Sequence, residues 1–587
     1  MLRLESLSYF RKWVAIGSII GVIAGFGSLA IYYSILFFSN LFMSYIVGYQ
    51  QPVPVGEGGS LIYSFFASNY YWIPIIVVVG ALLSGFLVYK FAPDAEGHGT
   101  DAVIEAFHNK NGKVSLKSAI VKLFSSAILI GSGGSAGREG PTAQITAGFA
   151  SFASKYLHLT HDDRRLITAV AVGAGIGTIF RAPFGGALLG AEVMYRHDLE
   201  TEAIFPGMIA SAIGFFVFGA FAGYSPIFGS LVYSFGINVF PFVVLLGLIS
   251  GVFARLYVKV FYKVHNAFEV LKVSRYFRPA IGAVAVGAMA LIFPEVLGVG
   301  YGWVQFLASG QLTSFTLTFG LPLAVFFFVL AIAKMVATAF SVGSGGSGGV
   351  FAPGMMIGAS VGAGTALFLN MLFPMSVPTS DIGPFAIIGM LAFFGAAGKV
   401  PISVSLMVTE MTGDLALLPA AMVGIAIAFI VSGRDTIYRS QVDTKRDSPA
   451  HIGDYYTPLL RRVTVKKSML SDIAIRSDRT AETAMERMEK LGVSSLPVVR
   501  KGRLVGIIYS NDVAKFPRRS VTVRRVMKKS VKRIELGWTA ETAWNVMIHN
   551  KASWGPVIEK GKYIGTVSMD SLLKEFKVHA EAHDLAM

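Results

Sequence analysis

The sequence predicts a mostly helical protein that crosses a membrane many times and continues into a smaller soluble α/β region. Three observations lead to this prediction. The 587 residues are 53% hydrophobic and 15% charged, with a mean hydropathy of +0.60, whereas soluble domains average about 25% charged residues. A Gly/Ser-rich segment occurs twice, which indicates two copies of one membrane unit. The last quarter of the chain has the periodicities of soluble helices and strands.

The hydrophobic runs have unequal lengths, which favours tilted and partly re-entrant helices over a bundle of equal spans. The clearest runs are Val14–Leu41, Trp72–Tyr89, Leu123–Ile130, Leu166–Ile179, Phe240–Ala254, Leu321–Ala333 and Leu415–Ile430. Some reach the roughly 20 residues that cross a bilayer and others do not. Together with 64 glycines, the short runs indicate broken helices around a protected cavity. Met1–Trp13 is amphipathic and basic and predicts a surface helix, not a cleavable signal peptide.

The first Gly/Ser segment, Gly131–Pro141, reads Gly-Ser-Gly-Gly-Ser-Ala-Gly-Arg-Glu-Gly-Pro. Its glycines allow successive N–H groups to converge, and Pro141 is placed where a helix would begin. The N-terminus of such a helix favours an anion. The segment Gly343–Pro353 repeats it without a gap at an offset of 343 − 131 = 212, with seven of eleven positions identical.

The repeat continues beyond these segments. Arg181-Ala182-Pro183 and Lys399-Val400-Pro401 match at an offset of 218, and a glutamate, Glu192 or Glu410, follows each proline by nine residues. Two motifs in the same order predict homologous halves, residues 10–220 and 240–440, as in transporters with a site at the repeat interface. The offset does not give their relative orientation.

A third turn, Gly97-His98-Gly99-Thr100-Asp101, precedes a helical pattern over Ala102–His108. Gly99 or Thr100 is the expected N-cap, and Asp101 lies in the first turn, where a carboxylate suits the helix dipole. This is a second kind of helix start that faces inward from a Gly-rich turn.

Charge is unevenly distributed along the chain. Residues 445–587 hold 27 of the 51 Lys and Arg and 15 of the 35 Asp and Glu, so +12 of the net +16 lies there. This excess favours a cytoplasmic domain near anionic lipid over a nucleic-acid partner. The membrane part holds only 35 − 15 = 20 acids, which argues against a cation pathway or a divalent-cation transporter. The chain contains no cysteine, which excludes disulfide and thiolate chemistry.

The tail predicts two αβ units of the same order. The first has a helix at Ala481–Leu491 and strands at Leu496–Val499 and Val505–Ile508, and the second has a helix at Ala540–Asn550 and strands at Gly555–Ile558 and Tyr563–Val567. Lys501–Gly506 parallels Lys560–Gly565 at an offset of 59.

These motifs carry a resemblance to a known family. Gly137-Arg138-Glu139-Gly140-Pro141, Gly349-Val350-Phe351-Ala352-Pro353 and the Gly97–Asp101 turn resemble the three signature loops of the CLC chloride channels and transporters, and the tail resembles a pair of CBS domains. The resemblance implies an all-α polytopic membrane protein with two inverted repeats of tilted, partly re-entrant helices, plus a cytoplasmic α/β tandem CBS module. It also implies a multi-pass protein of the cell membrane and a homodimer with one pore per subunit.

The implied division of the chain is a membrane domain at 1–440, a linker at 441–455, CBS domains at about 456–516 and 521–577, and a tail at 578–587.

The resemblance also assigns an anion site. The backbone amides of Val350 and Phe351 would bind the anion, Tyr438 would supply an inner hydroxyl, and the turn at His98 and Gly99 would supply the other group. Arg138 is also assigned to the anion-binding residues. It precedes Glu139, the gating glutamate, whose carboxylate would occupy the anion position until protonation or a competing anion displaces it. The alternative for Glu139 is a purely structural role, in which its carboxylate only accepts hydrogen bonds from N–H groups at the start of a helix.

Two positions depart from the family pattern. His98 stands where the family usually has serine, so it could donate an N–H to the anion or pack without contacting it, and the preference among chloride, other halides and nitrate stays open. Val193 stands where proton-coupled members carry a second glutamate. This favours a channel-like or weakly proton-coupled mechanism, with an H+/Cl− exchange transporter as the alternative. Glu192 and Glu410 are expected to be structural and to bond backbone or a neighbouring subunit.

The CBS pair suggests an adenine nucleotide regulator, with Tyr509, Asp512 and Ser571 as the candidate contacts, although a purely structural dimerisation role is equally open. No required cofactor, no metal and no nucleic acid are expected; chloride is the substrate. An intramembrane hydrolase is disfavoured because the serines of Gly131–Ser135 have no His or Lys partner at a recognisable spacing.

Overall fold

The protein is described by a computed structural model that covers residues 8–59, 61, 69–157, 159–231, 233, 236–312, 315, 321–451, 463–466, 470–514, 520–550 and 552–575. The chain divides into two compact units, Met1–Ala450 and His451–Met587, and each is described by itself.

The first unit is helical, with sixteen α-helices among its described residues. They are α1 Tyr9–Ser39, α2 Ile73–Phe91, α3 Thr100–Asn109, α4 Leu116–Gly131, α5 Glu139–Tyr156, α6 His161–Ile179, α7 Pro183–Glu192, α8 Ile204–Ala222, α9 Phe240–Val270, α10 Arg278–Ala290, α11 Tyr301–Ala308, α12 Leu323–Val342, α13 Phe351–Leu372, α14 Ile382–Gly398, α15 Pro401–Thr412 and α16 Leu418–Ser432.

Helix lengths and contacts repeat in the two halves. Helices α1 and α9 each have 31 residues, and α1 packs along α8 as α9 packs along α16. Likewise α5 packs on α6 and α13 packs on α14. The series α1–α8 therefore corresponds helix by helix to α9–α16, with the short helices α3, α7, α11 and α15 at matching places.

Seven helical segments among the described residues are long and apolar enough to cross a membrane, and further apolar helices are shorter. This mixture agrees with the unequal runs in the sequence. Helix α14 is completely buried, because its small residues allow α13 to approach closely: a Cβ at Gly358 would lie 2.6 Å from the Gly389 carbonyl oxygen. Membrane helices commonly pack through such small residues.

The sequence predicted that a helix over Met1–Trp13 feeds the first long span. Residues 9–13 form the start of α1, which continues directly into that span, and Trp13 is buried. Residues 1–7 lie outside the described part of the chain, so the rest of this prediction is not tested.

The described residues of the second unit form two three-stranded sheets. The strands are β1 Ile475–Arg476, β2 Ser495–Arg500, β3 Arg503–Tyr509, β4 Ile534–Glu535, β5 Trp554–Glu559 and β6 Lys562–Ser568. In each sheet the first strand pairs parallel with the second, which pairs antiparallel with the third. Helices Ala481–Leu491 and Ala540–His549 pack their apolar faces against the sheets.

The predicted helices and strands of the tail are confirmed to within one or two residues at each end. Both hairpins turn on equivalent Lys-Gly pairs with positive φ, 51° and 77° at Lys501 and Gly502, and 47° and 79° at Lys560 and Gly561. Positive φ at both central residues defines the hairpin turn that matches strand twist. The two segments that match in sequence at an offset of 59 therefore also form hairpin turns of the same backbone geometry.

Candidate functional site

The two Gly/Ser segments meet at the centre of the first unit. The Gly137 N–H donates to the Gly349 carbonyl at 2.7 Å, and the Gly349 N–H donates to the Gly137 carbonyl at 2.6 Å, as an antiparallel bridge. A reciprocal pair between equivalent residues requires a local two-fold axis, with the two copies running in opposite directions. The inverted arrangement of the repeats is therefore confirmed at the site itself.

Each Gly/Ser segment ends at the start of a helix. Helix α5 begins at Glu139 and α13 at Phe351, so each proline is the third residue of its helix, two residues later than the sequence predicted. The first turn tolerates this because its N–H groups have no acceptor within the helix. The same unpaired N–H groups make both helix starts suitable for an anion.

The Gly97–Asp101 turn joins the second Gly/Ser segment. The Gly97 N–H donates to Gly346 at 3.1 Å, and the Gly348 N–H donates to Gly97 at 3.2 Å. Gly99 has φ +83° and is the N-cap of α3, one of the two N-caps predicted.

A fourth helix start was missed in the sequence. Gly300, with φ +92°, is the N-cap of α11, which begins at Tyr301. The signal was present: Pro294-Glu295 followed by Gly298 and Gly300 copies Pro93-Asp94 followed by Gly97 and Gly99, at an offset of 294 − 93 = 201. The site is thus made from four helix starts, two from each repeat.

Two buried lysines hold these turns. The Lys122 Nζ donates to the carbonyls of Ala95 (3.1 Å) and Gly97 (2.5 Å), and the Lys334 Nζ donates to Val296 and Gly298, both at 2.8 Å. The lysines occupy equivalent positions in α4 and α12, at an offset of 334 − 122 = 212. The two ammonium groups therefore provide hydrogen-bond donors for the buried carbonyls that precede α3 and α11.

Glu139 is completely buried, and its carboxylate bridges the two repeats. Its Oε2 accepts from the Ala352 N–H at 3.3 Å, and its Oε1 accepts a hydrogen bond from the Tyr301 hydroxyl. The carboxylate therefore lies at the start of α13, next to the predicted anion ligands Val350 and Phe351. The amide that donates to Glu139 is that of Ala352, one residue beyond the predicted pair.

Arg138 is also buried, and its guanidinium forms an ion pair with Glu57. It lies 5.3 Å from the ring centroids of both Tyr32 and Tyr301. The charge of Arg138 is thus balanced locally by a carboxylate. Its role as an anion ligand stays a prediction, while Glu57, Tyr32 and Tyr301 form a polar cluster around the Arg138 guanidinium that sequence analysis did not identify.

The structure brings His98 and Tyr438 together. Both are buried, their ring centroids are 5.5 Å apart, and the Tyr438 side chain interacts with that of Thr100. Among the residues that the structure describes, the His98 Nδ1 has no hydrogen-bond partner. A buried imidazole nitrogen without a partner is available to a further group at this place.

Asp101 connects the start of α3 to the Tyr438 segment. Its Oδ1 accepts from the Ser440 N–H at 2.8 Å and its Oδ2 from the Ser440 hydroxyl at 3.0 Å. Because Ser440 follows Tyr438 by two residues, this contact ties the Tyr438 segment to the start of α3. It fixes the distance between Tyr438 and the His98 turn.

Glu192 and Glu410 bond backbone, as expected. Glu192 accepts from the N–H groups of Ile402 (3.0 Å) and Ser403 (2.8 Å), and Glu410 accepts from those of Phe184 (2.9 Å) and Gly185 (2.8 Å). Each glutamate caps the N-terminus of the helix that carries the other. Val193 is buried and its carbonyl accepts from the Gln441 Nε2 at 3.0 Å.

In the second unit, a cavity of about 230 Å³ is lined by residues of both αβ halves, including Tyr509, Lys532 and Trp554. Asp512 pairs with Lys528 at 3.3 Å. The Ser571 hydroxyl donates to the Ser568 carbonyl at 2.8 Å, and Ser571 is not among the residues that line the cavity. Of the three predicted nucleotide contacts, the structure places Tyr509 at the cavity.

Four helix starts from two inverted repeats, converging on a buried centre, define a membrane transport protein of the inverted-repeat type. Its family is shown by sequence comparison. Residues 80–433 match the voltage-gated chloride channel family, and residues 464–519 and 523–578 match the CBS domain. The chain belongs to the voltage-gated chloride channel family, with two CBS domains in its tail.

Relatives and solved structures agree with this membership. An uncharacterized protein of Methanocaldococcus jannaschii is 28% identical over 429 residues, 73% of this chain and 95% of the relative. The voltage-gated ClC-type chloride channel ClcB of Salmonella typhimurium is 28% identical over 448 residues, 73% of this chain and 98% of the relative.

A eukaryotic CLC transporter structure matches with a TM-score of 0.62 and 20% identity, over 96% of this chain and 98% of that one. A slow cyanobacterial Cl−/H+ antiporter matches with a TM-score of 0.59 and 23% identity, over 73% of this chain and 95% of that one. At these identities the structures bear on the fold alone.

Proposed function

We propose that this protein transports chloride across a membrane through an anion pathway gated by Glu139, in a channel-like or weakly proton-coupled manner. One observation carries the proposal: the Glu139 carboxylate accepts a backbone N–H at the start of α13. A carboxylate held there by a helix N-terminus occupies the position that a chloride ion would take.

Competition between the carboxylate and the ion gives a gate. Chloride at sufficient concentration displaces the tethered carboxylate from the Ala352 amide and binds at the start of α13, and a proton on Glu139 removes the charge that this helix start favours. Either event opens the path. Tyr301 steadies the closed position because its hydroxyl donates to the second carboxylate oxygen.

The inner part of the proposed pathway is formed by His98, Gly99 and Tyr438. A neutral imidazole can donate an N–H to an anion, and the His98 Nδ1 is not otherwise engaged among the described residues. A histidine N–H can donate to halides and to the larger, planar nitrate alike. We therefore include other halides and nitrate among the candidate anions.

Proton coupling is expected to be weak because the inner position has no carboxylate to carry a proton. Val193 cannot titrate, and the adjacent Glu192 is engaged with two backbone N–H groups and the Ser403 hydroxyl. H+/Cl− exchange remains the alternative and would require another residue or a water to relay protons.

Purified protein in liposomes, with chloride and proton flux recorded together, tests the proposal. We expect chloride flux whose reversal potential does not move with a pH gradient. A shift with a fixed proton stoichiometry would establish exchange instead.

A variant tests the gate itself. The Glu139→Gln variant, which keeps the size of the side chain but not its charge, is expected to conduct chloride independently of external pH. If that variant keeps the pH dependence of the wild type, Glu139 is not the gating residue.

The CBS pair is proposed to lie on the cytoplasmic side and to bind an adenine nucleotide in the cavity beside Tyr509. Lys532 also lines this cavity, and its charge suits phosphate. A rise in the unfolding temperature of the full-length protein with ATP, lost in Lys532→Gln, is expected. No shift with ATP would leave the pair a structural module.

A further inference from the structure

A second cavity, of about 360 Å³, is lined by none of the predicted anion-site residues. Its walls come from α3, from the connection between α3 and α4 and the start of α4, from α5, and from the first turn of α6. Basic, amide and aromatic side chains line the cavity, among them Lys110, Lys113, Gln144, Phe152, Lys155 and Arg164.

The cavity is strongly cationic. Three lysines and Arg164 line it, against one acid, Asp94. No ion pair involves Lys110, Lys113 or Lys155 within the described part of the chain. Arg164 is held in place by the Asn111 carbonyl at 2.9 Å. Unbalanced cations gathered around one concave site attract a ligand of several negative charges.

A buried polar group also faces this cavity. Gln144 is 1% exposed, and its Nε2 donates to the Asp94 carbonyl at 2.7 Å. Its Oε1 has no hydrogen-bond partner among the described residues. Since a buried acceptor without a donor is costly, the site suits a ligand that brings a hydroxyl as well as negative charge.

Two exposed apolar stripes run from the cavity along neighbouring helices. On α4, Leu116 lines the cavity, and Ile120 and Phe124 follow at intervals of four with 44% and 49% exposure. On α5, Phe152 lines the cavity and Phe149 lies one turn further, each 36% exposed. Residues three or four apart share a helix face, so each stripe continues the cavity along the lipid-facing surface.

We propose that this cavity binds an anionic phospholipid. The phosphate contacts Lys110, Lys113 and Lys155, a headgroup or glycerol hydroxyl donates to the Gln144 Oε1, and the acyl chains lie along the stripes of α4 and α5. Basic pockets between membrane helices are suited to anionic headgroups. The apolar stripes distinguish a lipid from free phosphate, which would use the cations alone.

The bound lipid bears on the anion pathway through two helices. Helix α3 begins at the His98 turn, helix α5 begins at Glu139, and residues of both helices line the cavity. The cavity also lies on the face where the chain leaves the membrane unit, because Arg165, next to Arg164, donates to the Ala450 carbonyl. Occupancy therefore stabilises the two helix starts in one position and raises transport.

The test compares two double variants of the full-length protein. Lys113→Gln/Lys155→Gln removes two cavity charges, and Lys117→Gln/Lys263→Gln removes two exposed lysines that do not line the cavity. After purification, native mass spectrometry counts retained phospholipid. We expect the cavity variant to bind phosphatidylglycerol roughly thirtyfold more weakly, about fivefold for each lysine, and the control to bind like wild type. This readout does not depend on chloride being the substrate.

Chloride flux gives the second arm. The chloride flux of the wild type and of the control variant is expected to be higher in phosphatidylcholine vesicles that contain phosphatidylglycerol than in phosphatidylcholine alone. The chloride flux of the cavity variant is expected to be the same in both. Equal flux of all three proteins in phosphatidylcholine alone establishes that the variants are folded. Equal lipid retention by the cavity variant and wild type would overturn the proposal. So would stimulation of wild type by inorganic phosphate in vesicles without phosphatidylglycerol.

Discussion

At the scale of single residues, Glu139 is held by two different donors, a backbone amide and a phenol. The Ala352 N–H belongs to a helix start that an anion could also use, whereas the Tyr301 hydroxyl serves the glutamate alone. In the gate that we propose, the amide sets the competition with chloride, and the hydroxyl sets how readily the carboxylate leaves.

Replacing Tyr301 with phenylalanine separates these two functions. A hydrogen bond to a charged group contributes about 1.5–3 kcal/mol, so Tyr301→Phe is expected to lower the chloride concentration that opens the path by roughly tenfold or more. Chloride flux against chloride concentration measures this. Tyr233→Phe is the matched control, since that hydroxyl donates to the Ala308 carbonyl at the other end of α11. An unchanged concentration dependence in Tyr301→Phe would contradict the assignment.

The Arg138–Glu57 pair gives a prediction about stability. Removing one partner of a buried ion pair leaves an uncompensated charge and costs about 3–5 kcal/mol, so Glu57→Gln is expected to lower the unfolding temperature of the membrane unit markedly. The exposed pair Arg255–Asp435 provides the control, because loss of a surface pair in Asp435→Asn costs about 0–1 kcal/mol. Thermal unfolding in detergent compares them. Similar losses in both variants would show that Arg138 is not held by Glu57.

What the sequence revealed at this scale depended on local context. Glu139 was identified because it is an acid in a Gly-rich turn between apolar segments, and both features are adjacent in the sequence. Tyr301 and Glu57 were not identified, because an isolated tyrosine or a glutamate in a loop occurs in many structural roles and carries no local signal of a functional site. Their partners Glu139 and Arg138 are 162 and 81 residues away. Only the fold shows that these residues meet.

At the scale of secondary-structure elements, the helices α7 and α15 cap each other. Glu192 and Glu410 each accept two backbone N–H groups at the start of the opposite helix. The sequence indicated that these glutamates were equivalent and structural, but it could not show which backbone they bond, because the contact requires the inverted orientation.

The caps predict a stability loss without a change in coupling. A carboxylate that accepts the first N–H groups of a helix contributes about 1–2 kcal/mol through capping and the helix dipole. Glu192→Gln and Glu410→Gln are therefore each expected to lower the unfolding temperature by a similar amount and to leave the ratio of proton to chloride flux unchanged. A change of that ratio in Glu192→Gln, with none in Glu410→Gln, would instead make Glu192 a proton carrier beside Val193.

At the scale of the whole molecule, the repeat explains why so much of the fold was accessible from sequence. The gapless copy of an eleven-residue segment identified two halves, and the period of the tail identified two αβ units. The inverted orientation was not accessible from the offset, because parallel and inverted repeats give the same spacing. It required the reciprocal bonds of Gly137 and Gly349, whose geometry only an antiparallel crossing allows.

The remaining prediction concerns a second copy of the chain. Helices α15 and α16 form an apolar groove, and Ile402, Met422 and Ile430 are exposed by 50%, 56% and 76%. If the protein is a homodimer, this face is the expected interface, since a two-fold interface places the same surface on both subunits. The absence of cysteine in the chain makes the test direct. Ile402→Cys and Met422→Cys each introduce one thiol.

On mild oxidation in membranes, at least one of these two variants is expected to give a cross-linked dimer on a denaturing gel. A disulfide needs the two Cα atoms within about 7 Å, so the position nearer the two-fold axis reacts and the other need not. Val252→Cys is the control, because Val252 is 57% exposed on α9 and lies outside the groove. Cross-linking of Val252→Cys alone would move the interface to α9. No cross-linking at any of the three positions would contradict the prediction and would leave the groove facing lipid.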